Sequence, residues 1–353
     1  MESTLTQLRS AVLEAQRTRR ALRLCGAGTK DFYGESCEGT PLELGGYRGV
    51  IEYEPSELVI TARCGTPLSQ IETLLAGHGQ FLAFEPPPLG GDPTLGGVIA
   101  TGLSGPRRAR AGAARDFVLG ASLLGVDGEV LRFGGKVMKN VAGFDVSRLL
   151  CGSLGILGPI LEVSLKVMPL PREEATLRFA LTQAEALAAF NRWAGQPLPI
   201  SASAWWDGSA TLRLSGAPAA LRAARTLLGG ELLAPAAAQA WWQGLRSQRH
   251  ALFGAAPNLW RLSVPSTAAP LPLAGGTLIE WGGALRWLAT DAPAAEVRRI
   301  AAAAGGTALH WRGGAAGSRF HPLASAVLAI TRRLKARFDP HGIFNPNRLV
   351  AGL

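Results

Sequence analysis

The chain has 353 residues, 47% apolar and 18% charged, a balance that excludes a disordered polypeptide and suits two domains around separate cores. Of its 36 basic residues five are lysines, leaving 31 arginines, and the formal net charge is +10. These arginines are scattered, without the basic stripe and interleaved aromatics of a nucleic-acid reader, so the charge favours anionic ligands or an acidic partner instead.

Residues 1–10 show no basic segment followed by an apolar run, and no signal peptide is expected. The longest apolar stretch, residues 149–163, is interrupted by Gly152, Gly155, Gly158 and Pro159 and is too short to span a bilayer. A soluble, cytoplasmic chain is the expectation. Cys25, Cys37, Cys64 and Cys151 are widely spaced, with no pairing of the C-x-x-C kind and no Cys/His grouping of metal-ligand spacing. No metal site is expected, and an iron–sulfur cluster held by this chain alone is disfavoured, because such clusters need tight Cys groups.

In chain order, Leu5, Leu8, Val12 and Ala15 recur at helical spacing behind Ser3 and Thr4, predicting an amphipathic N-terminal helix. Residues 21–25 form a short apolar run that empties into Gly26-Ala27-Gly28-Thr29-Lys30. Residues 49–53 and 58–62 read as strands. Thr66-Pro67 then caps a helix with Leu68, Ile71, Leu74 and Leu75 on one face, Pro67 being suited to its first position. Residues 117–126 and 128–133 read as a hairpin around Asp127-Gly128. Val163, Leu165 and Val167 alternate with Glu162, Ser164 and Lys166, a half-buried strand that closes the domain. The composition shifts near Pro169-Leu170-Pro171: all nine tryptophans lie beyond it, among Ala-rich helical patterns. Trp205-Trp206 and Trp241-Trp242 read equally well as a subunit interface or as core. Near the C-terminus Leu323, Ala326, Val327, Ile330 and Leu334 form one helical stripe.

Three glycine-rich runs stand out. In the first, Gly26 to Lys30, successive backbone N–H groups can turn inward as an anion-binding concavity, and Thr29 can add a hydroxyl. Asp31 stands where the dinucleotide fingerprint needs Gly or Ala, and Gly135-Lys136 is followed by Val137 where a P-loop needs Ser or Thr. The second run spans residues 90–105 and the third residues 151–158. Three such runs in one domain point to a large nucleotide cofactor.

The order of these motifs, together with R-D-F-V-L-G at 115–120 and G-G-K-V-M-K-N-V-A-G-F-D-V-S-R-L-L at 134–150, resembles the FAD-binding domain of the vanillyl-alcohol-oxidase/p-cresol methylhydroxylase (PCMH) class. Within that class, F-E-P-P at 84–87, S-G-P-R-R at 104–108 and F-D-P-H-G-I-F-N-P-N-R at 338–348 resemble the FAD-binding subunits of glycolate oxidases. The resemblance implies an α+β fold: a two-part PCMH/VAO-type FAD-binding domain over residues 1–171, a reduced α+β cap domain over 172–320, and a C-terminal helix and tail, 321–353, that return to the FAD domain.

Carried over to this chain, the resemblance implies that Gly26, Ala27, Gly28, Thr29 and Lys30 form the pyrophosphate loop. Thr94, Gly96, Gly97, Thr101, Ser104 and Gly105 would run along pyrophosphate and isoalloxazine. Arg110 and Gly112 would form a following turn, and Gly155, Gly158 and Ile160 would meet the adenine end. No His or Cys matches the covalent flavin tethers of the class, so non-covalent FAD is implied. The chain lacks the H-x-G-D-G-N-x-H-type stretch with which single-chain relatives grip a hydroxy-acid. His310 and His321, flanking Trp311 to Gly314, remain catalytic candidates, although a core or surface role is the commoner one for such residues. The implied function is oxidation of glycolate or a similar 2-hydroxy acid in a complex with a second flavoprotein subunit and an iron–sulfur subunit, peripheral at the inner membrane through those partners. A self-standing FAD oxidoreductase and a structural subunit with an empty flavin fold stay open as alternatives.

Overall fold

The computed structural model describes residues 2–136, 145–255, 257–314 and 317–353. Residues 137–144 of the 134–150 motif therefore lie outside the described residues. The chain divides into two compact units. Unit 1 comprises Met1–Leu103, Ala113–Pro169 and Pro322–Leu353, and unit 2 comprises Ser104–Gly112 and Leu170–His321.

Unit 1 opens with the helix Glu2–Thr18, which begins early enough to place Ser3 and Thr4 inside its first turn rather than before it. Its Leu8, Val12 and Ala15 are buried against Leu22, Leu124, Ile343 and Phe344, the i, i+4, i+7 stripe that helical geometry requires. Strand Leu22–Cys25 pairs in parallel with Thr40–Glu43. A five-stranded antiparallel sheet follows, in the order Val50–Glu54, Val59–Arg63, Ile160–Lys166, Val118–Leu124, Val130–Gly134. The strand expected to close the domain, Ile160–Lys166, lies at the centre of this sheet. Its Ser164 is therefore buried, which is tolerable because its hydroxyl is 2.8 Å from that of Thr61 on the neighbouring strand. The Asp127-Gly128 hairpin forms, with Gly128 at φ 79°, a conformation that glycine adopts without strain.

The helix Leu68–Ala76 buries Leu68, Ile71 and Leu75. Pro67 sits one position before it, extended at ψ 140°. Thr66 does not cap this helix, because its hydroxyl accepts from the Gly49 N–H at 2.8 Å. These side chains share a core with Phe84, Leu95, Val98, Ile99 and Phe117.

The C-terminal helix Ser325–Phe338 is held by its last turns. Leu334 and Phe338 pack on the main core of unit 1, and Lys335 is buried at 5% exposure. The Lys335 ammonium donates to Asp339 Oδ2 at 2.6 Å, the Ile156 carbonyl at 2.8 Å and the Phe344 carbonyl at 2.6 Å, using all three of its protons. Asp339 in turn accepts from the backbone N–H groups of Ile343 and Phe344. The predicted apolar stripe is not buried along its length: Leu323, Val327 and Ile330 are exposed. With the anchors confined to residues 334–339, the first turns of the helix gain no cover.

Unit 2 is built on an eight-stranded antiparallel sheet in the order Glu231–Leu232, Glu173–Ala180, Ser209–Gly216, Ile200–Trp206, Gly276–Glu280, Leu285–Ala289, Leu259–Ser263, Thr307–Arg312. The helix Gln183–Ala194 starts at a capping box of Thr182 and Glu185. None of the nine tryptophans is exposed. The indoles of Trp205, Trp242 and Trp287 donate to the Leu181 carbonyl, Thr176 Oγ1 and Glu280 Oε1, as is usual for buried indoles, whereas the Trp241 Nε1 has no partner. Trp242 is thus core, while Trp205, Trp206 and Trp241 are half-buried.

Asp339→Asn would leave the Lys335 ammonium buried without a carboxylate, and the loss of one partner of such a pair costs about 3–5 kcal/mol. Urea unfolding of unit 1 should shift by that order, and Lys335→Met/Asp339→Asn should recover part of it.

Candidate functional site

Unit 1 contains a solvent-open cleft. Its walls are the loops that the glycine-rich runs form. Gly26, Ala27, Gly28, Thr29 and Lys30 follow strand Leu22–Cys25. Thr94, Gly96, Gly97 and Thr101 belong to the short helix Leu95–Thr101 and its N-cap. Gly155, Gly158 and Ile160 lead into the central strand. All twelve line the cleft.

Backbone hydrogen bonds lace these loops together. Leu95 and Gly96 N–H groups donate to the Thr66 and Cys64 carbonyls at 2.8 Å, while Gly152 and Leu154 N–H groups donate to Ile99 and Ala100 at 3.0 and 2.8 Å. Thr94 Oγ1 accepts from the Gly97 N–H at 3.2 Å, the expected N-cap bond. A Cβ on Gly26 would stand 2.5 Å from that same Thr94 oxygen, so close approach of the first and second loops requires glycine there. Gly28, at φ 71°, needs glycine for its backbone conformation instead.

Sequence reasoning left two important residues of the cleft unassigned, Asn345 and Arg348. Asn345 Oδ1 accepts from the Leu24 N–H at 2.7 Å, and its Nδ2 donates to the Leu154 carbonyl at 2.7 Å. One amide therefore ties the strand that leads into the first glycine loop to the third loop, across 321 and 191 residues of chain. Arg348 donates to the Glu35 and Asp31 carbonyls, fixing the far side of the first loop. The signal was present in the tail motif 338–348, where Asn345 and Asn347 both take positive φ, a conformation to which Asn is suited.

Lys30 is the electrostatic feature of the cleft. It is buried at 7% exposure, and its hydrogen bond goes to Thr29 Oγ1, at 3.4 Å. No described carboxylate pairs with it, and burial lowers its pKa to about 8. A buried cation without a counter-charge, beside glycine-rich backbone, is a site prepared for an anion. Cys64 also lines the cleft; its thiol is fully buried and its pKa is pushed far up by desolvation, then by Glu162. Burial, the largest effect, likewise raises the pKa of Cys151 to about 12, so neither is an activated nucleophile.

Four predicted site residues are not in the cleft. Ser104, Gly105, Arg110 and Gly112 belong to a segment that packs within unit 2. The Trp281 indole donates to the Gly105 carbonyl at 3.0 Å, and Arg108 lies 4.5 Å over the Trp281 ring. Arg107, buried, is ion-paired with Glu174 and donates to Ser215 Oγ at 3.2 Å. Burial raises the Glu174 pKa, but Arg107, Ser215 and Arg213 together outweigh it and the net shift is downward. A buried arginine holds to its carboxylate, which carries the segment into unit 2.

His310 and His321 are also in unit 2 and do not line the cleft. His310 is buried with its ring centroid 4.7 Å from that of Trp260, and its Nε2 has no hydrogen-bond partner. Desolvation, then Arg319 and Arg298, lowers its pKa. His321 Nδ1 accepts from the Ala308 N–H at 3.4 Å, and burial followed by Arg298 lowers its pKa as well. Among the described residues no group of His, Cys, Asp and Glu is placed to hold a metal ion.

Comparison with known proteins bears on this geometry. The family described as FAD binding domain matches residues 3–134. The chain is 44% identical over 352 residues to glycolate oxidase subunit GlcE of Escherichia coli (strain K12), covering 100% of this chain and 98% of that one. Glycolate oxidase subunit GlcD of Bacillus subtilis (strain 168) is 32% identical over 36% of this chain and 27% of its own length. D-lactate dehydrogenase of Archaeoglobus fulgidus is 30% identical over 43% and 34%. Among solved structures, alkyldihydroxyacetonephosphate synthase superposes with a TM-score of 0.68 at 16% identity, over 96% of this chain and 74% of that one. It shares the fold, which is the PCMH/VAO-type α+β architecture.

Between about pH 8 and 10.5 the folded chain holds Lys30 neutral while the unfolded chain keeps it protonated. The unfolded state then binds more protons, so the penalty of burying Lys30 is full below pH 8 and relieved as pH rises towards 10.5. In ligand-free protein, unfolding free energies measured across this range should climb relative to those of Lys30→Met, whose profile lacks this contribution.

Proposed function

The chain belongs to the family of the glycolate oxidase subunit GlcE, and from that premise we propose that the cleft of unit 1 holds FAD for the oxidation of glycolate, or a similar 2-hydroxy acid, to the 2-oxo acid. The observation that carries this reading is the meeting of three glycine loops around a buried lysine with no carboxylate partner. A diphosphate supplies the missing negative charge, and residues without Cβ let the backbone N–H groups approach it.

The residues we assign to FAD are Gly26, Ala27, Gly28, Thr29, Lys30, Thr94, Gly96, Gly97, Thr101, Gly155, Gly158 and Ile160, with Asn345 and Arg348 added from the tail. Lys30 and Arg348 contribute positive charge, and Thr29 a hydroxyl donor. Asn345 acts by holding the first and third loops at fixed separation. FAD, when bound, supplies the acceptor for the two electrons that leave the substrate α-carbon. The protein contributes binding and orientation around it.

We read the chain as one subunit of a multi-subunit glycolate oxidase, working with a second flavoprotein subunit and with an iron–sulfur subunit that carries single electrons onward. The wide spacing of the four cysteines supports an external electron carrier. No described helix is long and apolar enough to cross a membrane. We place the chain in the cytoplasm, meeting the inner membrane only through its partners.

Three outcomes test this reading. A side chain at Gly28 penalises its positive φ and obstructs backbone approach, so Gly28→Val should lose FAD while the near-ultraviolet signature of the tryptophan-rich unit 2 persists. Flavin of the wild type should enter the supernatant on acid precipitation, as non-covalent binding requires; colour kept in the pellet would overturn that part. The isolated FAD-loaded chain should not oxidise glycolate with artificial acceptors, whereas co-expression with both partner subunits should give activity. Turnover by the isolated chain at the rate of the complex would establish a self-standing oxidoreductase instead.

A further inference from the structure

The C-terminal helix Ser325–Phe338 changes character along its length. Its last turns are anchored by Leu334, Lys335 and Phe338. From Leu323 to Arg333 no residue is buried. The same stripe that enters the core at Leu334 continues through Ile330, Val327 and Leu323, which are 58%, 49% and 38% exposed. Spacings of four and three residues put Leu334, Ile330 and Val327 on one face of the helix, and Leu323 lies just before its N-cap. Exposed Ala326 and Ala329 leave room for close approach from either side.

Val327 and Ile330 on the helix, with Leu323 just before it, are a costly apolar surface to leave in water. The charge pattern tells what covers them. Between Leu323 and Phe338 there is no acidic residue, and Arg332, Arg333 and Arg337 are exposed beside the stripe. A second copy of this chain would bring the same arginines and a net charge of +10 against them. A lipid surface would ask for a longer apolar face and interfacial aromatics, and residues 323–337 contain no Trp, Tyr or Phe. The complementary surface is an apolar groove edged with carboxylates on a different protein.

We infer that residues 323–333 are a docking ridge, with Leu323, Val327 and Ile330 seated in an acid-rimmed apolar groove of another subunit of the oxidase. This rests on the reading of the chain as a subunit of a complex. Arg332 and Arg333 then face the carboxylates of the rim and set orientation, while the three aliphatic groups supply the burial. Neither Val327 nor Ile330 lines the FAD cleft, so assembly and flavin content are separable measurements.

The test uses the full chain, tagged and co-expressed with the other subunits of the oxidase. Val327→Glu/Ile330→Glu should reduce co-purified partner at least tenfold while FAD content and melting temperature of the tagged chain stay at wild-type values. Val327→Ala/Ile330→Ala, which keeps the helix and adds no charge, should give a smaller loss in the same direction. Arg332→Glu/Arg333→Glu should weaken retention most at low salt. Full retention of the partner by the glutamate and alanine variants overturns the inference while leaving the subunit reading intact. Failure of the wild-type chain itself to co-purify overturns both, and is seen before any variant is made. A wild-type dimer that becomes monomeric in the glutamate variant assigns the ridge to a second copy. Sedimentation with phosphatidylglycerol vesicles that depends on Ile330, in a variant that still assembles, assigns it to a lipid surface. Each of these last two results also overturns the inference.

Discussion

The buried pair of Lys335 and Asp339 is the constraint on which unit 1 depends. An ammonium taken out of water is stabilised when its protons find acceptors, and for Lys335 those acceptors come from three places: Asp339 beside it, the Phe344 carbonyl in the tail and the Ile156 carbonyl in the third glycine loop. The carboxylate in turn organises the backbone at residues 343 and 344. That turn delivers Ile343 and Phe344 to the core beneath the first helix and leaves Asn345 between the first and third loops. Glycine loops have little side-chain mass with which to hold themselves in place. In this protein the last residues of the chain hold them.

The cleft so formed has an electrostatic asymmetry that bears on its use. Most buried lysines meet a carboxylate, as Lys335 does. Lys30, equally buried, meets only a hydroxyl, and its depressed pKa records the cost. A binding site that carries such a cost in advance recovers it when an anion arrives, which favours a phosphate-bearing ligand over a neutral one of the same shape. Cys64, buried in the same wall with its thiol held protonated, adds a small apolar surface rather than reactivity.

Unit 2 follows a different logic. Its aromatic side chains pack against a large sheet, and the indoles of Trp205, Trp242, Trp281, Trp287 and Trp311 donate to a hydroxyl, a carboxylate or carbonyl oxygens. The Ser104–Gly112 segment joins that core through Arg107, Arg108 and the Gly105 carbonyl. Where unit 1 keeps small residues for a ligand, unit 2 uses large ones for stability. In unit 1 the helix Ser325–Phe338 leaves Val327 and Ile330 exposed.

The local order of the protein was written in its sequence. The 3.6-residue period of the first helix, the Asp127-Gly128 hairpin, the three glycine runs and the change of composition near Pro169 are all properties of neighbouring residues, and twelve of the sixteen positions matched to a flavin site do meet in one cleft. Only the tertiary structure decided the rest, because it turned on partners distant in the chain. Ile160–Lys166 reads as a half-buried closing strand until strands on both sides bury Ser164 against Thr61. The stripe from Leu323 to Leu334 reads as uniformly buried, but a stripe records periodicity and not whether a neighbour exists to cover it. Ser104, Gly105, Arg110 and Gly112 follow the second glycine run directly, yet Glu174 draws Arg107, and the segment with it, into the other unit. Asn345 and Arg348 reach the cleft across more than three hundred residues of chain, a juxtaposition that no local pattern encodes, since hydrogen bonds of that span are set by the packing of the whole core.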